Sequence, residues 1–326
     1  MLKKILVLTI LVILLTACKT KEKERIDEEK FLFGTYIKIT TYHEHRGEAR
    51  EAMEKAFDEI ERIDKKFNSH WNNSIIDKLN KNPRVGVKLD AEGQMLFDEV
   101  DRIYKLTEGK FDITVEPLMN LWGFGREDVK LPTRAELDET MEKIDYRRVV
   151  REGDHISMEE PLNEIDTGAF LKGYATARAK VILAEEGIES AFITTISSME
   201  TLGPKPDGPW RIGIQDPSNP REILEIVNLD GQAMGISGDY QTFVEIEGKR
   251  YHHIIDPTTG YPVTDKKLVA VICKDALLGD LYSTAFFVME LEDVMEYVEA
   301  NEGLDVFIVD EDSKIITSSG FEKYIR

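Results

Sequence analysis

The hydrophobic period of the sequence changes along the chain. In the first half, apolar residues recur every three or four positions, as on one face of a helix, at Met53, Ala56, Phe57, Ile60, Ile63 and Phe67 and again at Leu96, Val100, Ile103 and Leu106. From residue 191 onward the apolar runs are short and rich in β-branched and aromatic residues, as in "AFITTI", "WRIGI", "ILEIVNL", "TFVEI", "RYHHII" and "KLVAVIC". Helices and strands mix without strict alternation, which predicts an α+β fold with mixed sheets and flanking helices.

Local signals place several element boundaries. The run "FLFGTYIKITTY" alternates and is predicted to be one strand, and a helix is expected after Asp90. Thr133 and Glu136 have the spacing of a capping box at a helix start. A helix over 175–184 is expected to end at Gly187, and Glu247-Gly248-Lys249 is predicted to form a tight hairpin turn.

Length and charge limit the classes of protein that fit. The chain of 326 residues lies near the upper limit of what one core supports, so a single large domain of two merged lobes is expected. The formal net charge of -20 opposes binding to nucleic acid and to anionic membrane surfaces. An anionic ligand must therefore meet a local positive site or a metal. The two cysteines, Cys18 and Cys273, cannot build a disulfide framework.

The N-terminus has the pattern of an export signal. Lys3 and Lys4 precede an apolar run that ends in small residues before Cys18, and this resembles a bacterial lipoprotein signal. Residues 1–17 are thus expected to be a signal peptide, Cys18 to carry lipid, and 18–30 to form a charged, solvated tether ahead of a domain over 31–326. The expected location is extracytoplasmic, with a lipid anchor in the cell membrane. An uncleaved membrane anchor is the alternative, which the short apolar run disfavours.

The stretch "DTGAFLKGYA" combines a carboxylate, small residues and one lysine. It is not a P-loop, since the glycine and lysine stand in the wrong order. Gly168 and Ala169 would let the backbone approach a ligand closely near a helix start that favours anions, and Lys172 would add positive charge. The alternative is that Asp166 caps the helix and the lysine is merely exposed.

Two further stretches carry candidate chemistry. In "GDLYSTAFFVME", Asp280 and Thr284 are four residues apart and would present oxygen ligands for Mg²⁺ on one helix face, beside Ser283. The alternative is a capped helix start. In "RYHHIIDPTTGYPV", adjacent histidines on a strand face opposite ways, so at most one faces a site, where it could act as a general base. Phe111, Trp122 and Phe124 are aromatics that could form a binding surface, although core packing is the preferred interpretation for Trp122.

Taken together, these stretches resemble the ApbE family of FAD:protein FMN transferases across essentially all of residues 31–326. The matching runs occur in family order: "FGT", "GKFDIT", "PLMNLWGFG", "DTGAFLKGYA", "SGDYQTF", "HHIIDPTTGYP" and "GDLYSTAFFVM". Three positions depart from the family's usual pattern. Phe33 stands for a methionine, Ile196-Ser197-Ser198 covers a glycine pair, and Ile236 stands for a threonine.

The resemblance implies an activity, a fold and site residues. With Mg²⁺, family members transfer the FMN half of FAD to a serine or threonine of an acceptor flavoprotein and release AMP. Acceptors are exported or membrane proteins with a Ser/Thr-Gly-Ala-Ser/Thr-Thr type motif. His253, Lys172 and Asp280 are then expected to carry catalysis, with His253 as base or orienting group. The metal site would comprise Ala169, Asp280, Ser283 and Thr284, and FAD would contact Phe33, Lys110, Phe111, Asp112, Asp166, Lys172, Ile254 and Ile255.

Two other functions stay open at the level of sequence. Water could replace the acceptor hydroxyl, which would make the protein an FAD pyrophosphatase that yields FMN and AMP. Alternatively, the chain could bind FAD without chemistry, although such a protein would have little use for paired Asp280 and Thr284.

Overall fold

An antiparallel sheet of eight strands forms the centre of the fold in this computed structural model, which describes residues 22–124, 129–159 and 164–325. Its strand order is β1-β2-β6-β7-β10-β13-β14-β15, and smaller sheets are formed by β3-β5-β4, β8-β9 and β11-β12. The strands are β1 (Glu24–Leu32), β2 (Thr35–His43), β3 (Val87–Lys88), β4 (Val149–Glu152), β5 (His155–Met158), β6 (Ala191–Thr194), β7 (Ser198–Leu202), β8 (Trp210–Asp216), β9 (Asn219–Leu229), β10 (Ala233–Gly238), β11 (Phe243–Ile246), β12 (Lys249–His252), β13 (Lys266–Cys273), β14 (Asp305–Asp310) and β15 (Ile315–Thr317).

Helices surround these sheets, as the α+β prediction requires. They are α1 (Arg46–Phe67), α2 (Ile75–Lys81), α3 (Ala91–Leu106), α4 (Glu116–Trp122), α5 (Arg134–Met141), α6 (Leu171–Glu185), α7 (Ala276–Val288), α8 (Leu291–Glu299) and α9 (Glu322–Ile325). The predicted caps are present: Asp90 accepts a hydrogen bond from the Gly93 N–H, and Thr133 and Glu136 form a reciprocal capping box. Within the described ranges, no helix combines the length and apolar character needed to cross a bilayer.

Both faces of the main sheet are buried at its centre, which explains the continuous apolar run in β13. Val269, Val271 and Cys273 pack into a large core with α1, α6 and α7, while Leu268 and Ile272 pack into a second core with β8 and β9. A strand between two cores needs apolar residues at every position, so its sequence loses the usual alternation. A third, smaller core forms around Trp122 where α4 and α5 meet the β11–β12 hairpin.

The N-terminal boundary of the fold differs from the sequence prediction. Residues 1–17, Cys18 and the tether residues up to 21 lie outside the described ranges, but residues 24–30 belong to strand β1 and are not a solvated tether. Ile26, the only apolar residue of that charged stretch, is fully buried in the main core. Its charged neighbours pair instead with other charged groups, as Lys30 does with Glu54 and Glu28 with Arg50. Charged side chains are typical of an edge strand.

The run "FLFGTYIKITTY" is likewise not one strand. It folds back at Phe33 and Gly34, whose φ angles of 54° and 69° form a two-residue turn between Leu32 and Thr35. A residue with a side chain is uncommon at positive φ, because its Cβ crowds the backbone. The alternation of apolar and polar residues cannot reveal such a turn, because the same pattern continues in the strand after it.

Candidate active site

The predicted site residues surround one cavity of about 360 Å³. It lies where the β1–β2 turn, the loop before α6, the residues after β12 and helix α7 approach one another. Its lining includes every residue assigned above to catalysis, FAD or metal: Phe33, Lys110, Phe111, Asp112, Asp166, Ala169, Lys172, His253, Ile254, Ile255, Asp280, Ser283 and Thr284. The structure thus brings together residues from segments more than 200 positions apart.

Asp280 is the buried acid of this cavity. Only 5% of its surface is exposed, and burial raises the pKa of its carboxyl to about 6, while the Lys172 charge, the Ser198 hydroxyl and the Gly173 N–H favour the ionised form. Among the residues that the structure describes, no basic side chain forms an ion pair with it. A buried carboxylate without such a partner is costly, and a bound cation would remove that cost.

Hydroxyl groups extend from Asp280 along α7. The Ser237 hydroxyl donates to Ser283 Oγ at 3.0 Å and lies 3.3 Å from Thr284 Oγ1. The Ser283 hydroxyl also donates to the Asp280 carbonyl at 3.2 Å, within its own helix. Asp280 and Thr284 lie one turn apart on α7, and Asp275 is the residue that caps this helix, so the alternative that Asp280 caps a helix start is wrong. Carboxylate, hydroxyl and backbone carbonyl oxygens form a hard donor set that suits Mg²⁺.

The loop before α6 presents backbone and a lysine to the cavity. Asp166 Oδ1 accepts hydrogen bonds from the Gly168 N–H at 3.0 Å and the Ser69 hydroxyl at 3.2 Å. Helix α6 starts later, with Phe170 as its N-cap residue, so the alternative in which Asp166 caps this helix is wrong. Lys172 Nζ donates to the Gly168 carbonyl at 3.0 Å, and no carboxylate in the described ranges forms an ion pair with it. The lysine therefore brings a positive charge to the cavity that no described carboxylate contacts directly.

The two adjacent histidines point in different directions, as the strand argument predicted. His252 is buried, with its ring against Phe287, whereas His253 lines the cavity. His253 Nδ1 lies 3.1 Å from the Thr242 carbonyl, which can only accept, so Nδ1 carries the proton. Burial lowers the pKa of His253 to about 4, and the Thr242 bond opposes this shift. The ring is therefore neutral near pH 7, with its lone pair on Nε2.

Apolar groups line another part of the cavity. Phe111, Ile254 and Ile255 are nearly fully buried, and Phe33 is held in its positive-φ turn by a hydrogen bond from its N–H to Asp64 Oδ2 at 3.0 Å. Such strained backbone persists only where its surroundings hold it, and it is frequent at ligand sites. Trp122 is fully buried, which confirms the core interpretation of that residue.

Two charged residues of the predicted set are already engaged with the protein. Asp112 Oδ1 accepts hydrogen bonds from the Thr114 N–H and hydroxyl, and Oδ2 accepts the Tyr146 N–H at 3.0 Å. Lys110 Nζ forms an ion pair with Glu290 at 2.7 Å. These contacts shape the loop that carries Phe111, so Asp112 organises the backbone of the cavity wall.

Sequence reasoning missed several contributors to the site. Ser198 and the Gly173 N–H hold the Asp280 carboxylate, and Ser237 joins the hydroxyl cluster. The one sequence signal was Gly173, since a glycine inside a helix can indicate that another helix packs closely against it. A Cβ there would lie 2.1 Å from the Ala276 carbonyl oxygen.

A second group of titratable residues borders the cavity. Ligand atoms of His70, Glu116 and Asp166 all lie within 4.8 Å of one another. Burial, followed by repulsion from Asp166, raises the pKa of Glu116 to about 7. Glu116 therefore titrates close to neutral pH.

Comparisons with known proteins agree with this geometry. The family model described as "ApbE family" matches residues 33–308. The chain is 32% identical over 275 residues to an FAD:protein FMN transferase of Vibrio cholerae, covering 82% of each chain, and 29% identical over 305 residues to one of Haemophilus influenzae, covering 87% of this chain and 88% of that one.

Solved structures resemble the fold over nearly its whole length. The crystal structure of the ApbE protein from Thermotoga maritima superposes with a TM-score of 0.85 at 31% identity, covering 93% of this chain and all of that one. The flavin transferase ApbE from Vibrio cholerae superposes with a TM-score of 0.82 at 28% identity, covering 93% and 99%. The α+β prediction is therefore confirmed, and the chain is a member of the ApbE family.

Proposed function

We propose that this protein transfers the FMN half of FAD to a serine or threonine hydroxyl of an acceptor flavoprotein, and that Mg²⁺ assists. Its family and the FAD:protein FMN transferases that it resembles support the transferase activity. The observation that carries the proposal is the convergence on one cavity of a buried carboxylate, a lysine and a neutral histidine, of which the first two have no ion-pair partner in the described ranges.

The oxygen atoms of the cavity fit Mg²⁺. Asp280, Thr284 and the Ala169 carbonyl would hold it, whereas the Ser283 hydroxyl already bonds within α7 and is a weaker candidate. When bound, this cation would neutralise charge on the phosphates of FAD. Lys172 adds a second positive charge from the loop before α6, which answers how a protein of net charge -20 can hold an anionic dinucleotide.

His253 acts as the general base for the acceptor hydroxyl. Its Nε2 accepts the hydroxyl proton as the acceptor oxygen attacks the phosphorus of the FMN phosphate. The bond from that phosphorus to the bridging oxygen breaks, and AMP leaves with the bridging oxygen. The low pKa keeps Nε2 unprotonated throughout neutral pH, and the Thr242 carbonyl orients the ring.

The test uses full-length protein in detergent with FAD, Mg²⁺ and an acceptor domain that bears the Ser/Thr-Gly-Ala-Ser/Thr-Thr motif, and reads the intact mass of the acceptor while following AMP and FMN. We expect a magnesium-dependent FMN adduct that Asp280→Asn abolishes. Asp58→Asn, an exposed change on α1, is the matched control and should retain the adduct.

The other outcomes separate the alternatives. Free FMN and AMP without adduct would establish a pyrophosphatase, and bound but unchanged FAD would establish a binding protein. Either result would overturn the transferase proposal.

We also propose that the protein is exported and anchored by lipid on Cys18. The support is the basic, apolar and small-residue order of residues 1–18. Membrane fractions and mass analysis of the mature N-terminus test this. Loss of membrane association in Cys18→Ala is expected, and an unmodified Cys18 in the mature protein would contradict it.

A further inference from the structure

Ser198 makes an unusual contact with the buried acid of the cavity. Its hydroxyl lies 2.7 Å from Oδ1 and 2.8 Å from Oδ2 of Asp280. The Gly173 N–H donates to Oδ2 at 2.7 Å. Oδ2 is therefore fixed by the backbone of α6, while the hydroxyl contacts both oxygens and resists rotation of the carboxylate about its last torsion angle.

Ser198 is itself held firmly. It is fully buried at the start of β7, and its N–H donates to Thr195 Oγ1 at 2.9 Å. The Thr195 N–H returns a bond to the Ser198 carbonyl, also at 2.9 Å. The same Thr195 hydroxyl accepts from the Ser197 N–H at 3.3 Å. These bonds close the β6–β7 turn, so the hydroxyl that meets Asp280 comes from a fixed point of the main sheet.

We infer that Ser198 is a positioning residue for the cation: it turns Asp280 so that Oδ1 is the oxygen available to bind a divalent ion. Among the described residues Oδ2 faces two donors, the Gly173 N–H and the Ser198 hydroxyl, whereas Oδ1 faces only the hydroxyl, so Oδ1 keeps a lone pair for a ligand. Groups that orient a metal ligand typically change metal affinity by about 10- to 100-fold when removed. The inference rests on the proposed function in one respect, since it requires that Asp280 bind a cation.

The experiment measures the affinity of the folded protein for Mn²⁺, used as the probe, by electron paramagnetic resonance with and without FAD. We expect Ser198→Ala to raise the dissociation constant by about 10- to 100-fold. Ser198→Thr retains a hydroxyl donor and should bind Mn²⁺ more tightly than Ser198→Ala does. The matched control is Ser190→Ala, since Ser190 is also buried but its hydroxyl has no hydrogen-bond partner among the described residues.

A second variant guards against misfolding. Ser198→Cys has nearly the same shape but donates only weakly, so it should fold and still weaken Mn²⁺ binding. A folded Ser198→Ala or Ser198→Cys with a dissociation constant within about twofold of the parent, well below the change expected on losing an orienting group, would overturn the inference. If the parent binds no Mn²⁺, or if Asp280→Asn binds it normally, the cation site of the proposed function fails and the inference fails with it.

Discussion

A methyl group added at Gly173 should disturb the position of Asp280. In Gly173→Ala the new Cβ would lie 2.1 Å from the Ala276 carbonyl oxygen and 2.8 Å from Asp280 Cγ. Contacts under 3.0 Å essentially do not occur, so α6 and α7 must separate by about 0.9 Å to lengthen the first contact from 2.1 to 3.0 Å. The hydrogen bond from the Gly173 N–H to Asp280, now 2.7 Å, would then exceed the usual limit.

The expected loss of stability follows from two costs and one gain. Forcing an extra methyl into a packed interface costs about 1–3 kcal/mol, and losing a hydrogen bond to a charged group costs about 1.5–3 kcal/mol. Alanine is better than glycine inside a helix by about 1 kcal/mol. The free energy of unfolding should therefore fall by about 1.5–5 kcal/mol, measured by urea denaturation, and Mn²⁺ affinity should fall with it.

Gly47 supplies the matched control for this change. It also lies inside a helix, near the start of α1, but no neighbouring atom lies within 4 Å of the point that a Cβ would occupy. Gly47→Ala should therefore be neutral or stabilising by up to about 1 kcal/mol. If Gly173→Ala behaved like Gly47→Ala in both stability and Mn²⁺ affinity, the close approach of α6 to α7 would not be what fixes Asp280.

Three other changes have definite expected outcomes. Phe33→Gly should weaken FAD binding measured by fluorescence titration, because an apolar wall group is lost; unchanged FAD affinity would contradict this. Its relief of a positive φ is offset by the packing that Phe33 makes against the main core. Folding raises the pKa of Glu116 from 4.5 to about 7, so the folded state binds this proton more tightly than the unfolded chain does. The free energy of unfolding therefore falls as the pH rises from about 4.5 through 7. Glu116→Gln should thus stabilise the protein more at pH 8 than at pH 4 in urea unfolding, and an equal effect at both would contradict this. Trp122→Phe should cost about 2–4 kcal/mol, since it removes a buried hydrogen bond to the Gly260 carbonyl and leaves a cavity, and a change under about 1 kcal/mol would refute that role.

The sequence predicted the elements well where one face carries the apolar residues. The spacing of Met53, Ile60 and Phe67 predicted α1, and Asp90 and Thr133 marked helix starts because capping is a local property. The hairpin turn at Phe33 was missed, since a phenylalanine at positive φ contradicts local preference and is held by Asp64 from another element. The boundary at Glu24 was missed because one buried isoleucine in a charged stretch is too weak a signal.

The sequence predicted most of the residues that line the site, but not the hydrogen bonds between them. The family runs placed Asp280, His253 and Lys172 together, although their distances along the chain say nothing of geometry. Ser198 could not be identified, because its contact with Asp280 depends on how β7 packs against α7, and the sequence does not reveal this packing. The serine also stands in a stretch where the family pattern suggested altered backbone rather than a hydroxyl donor.

Helix α7 is fixed to the main sheet at both of its ends, which restricts the movement of Asp280. At its N-terminus the buried carboxylate of Glu200 accepts the Ala276 N–H at 2.8 Å, and at its C-terminus the buried ammonium of Lys266 donates to the Met289 carbonyl at 2.7 Å. Burial raises the pKa of Glu200 to about 7, while Lys180 at 2.8 Å favours the ionised form, so the negative charge that the helix dipole favours at this end depends on that ion pair. The Lys266 ammonium has the sign that the dipole favours at the other end. Glu200 and Ser198 are two residues apart on β7 and so face the same side. Strand β7 therefore fixes the start of α7 through Glu200. Through Ser198 it also fixes the orientation of the Asp280 carboxylate, which lies one helical turn further along.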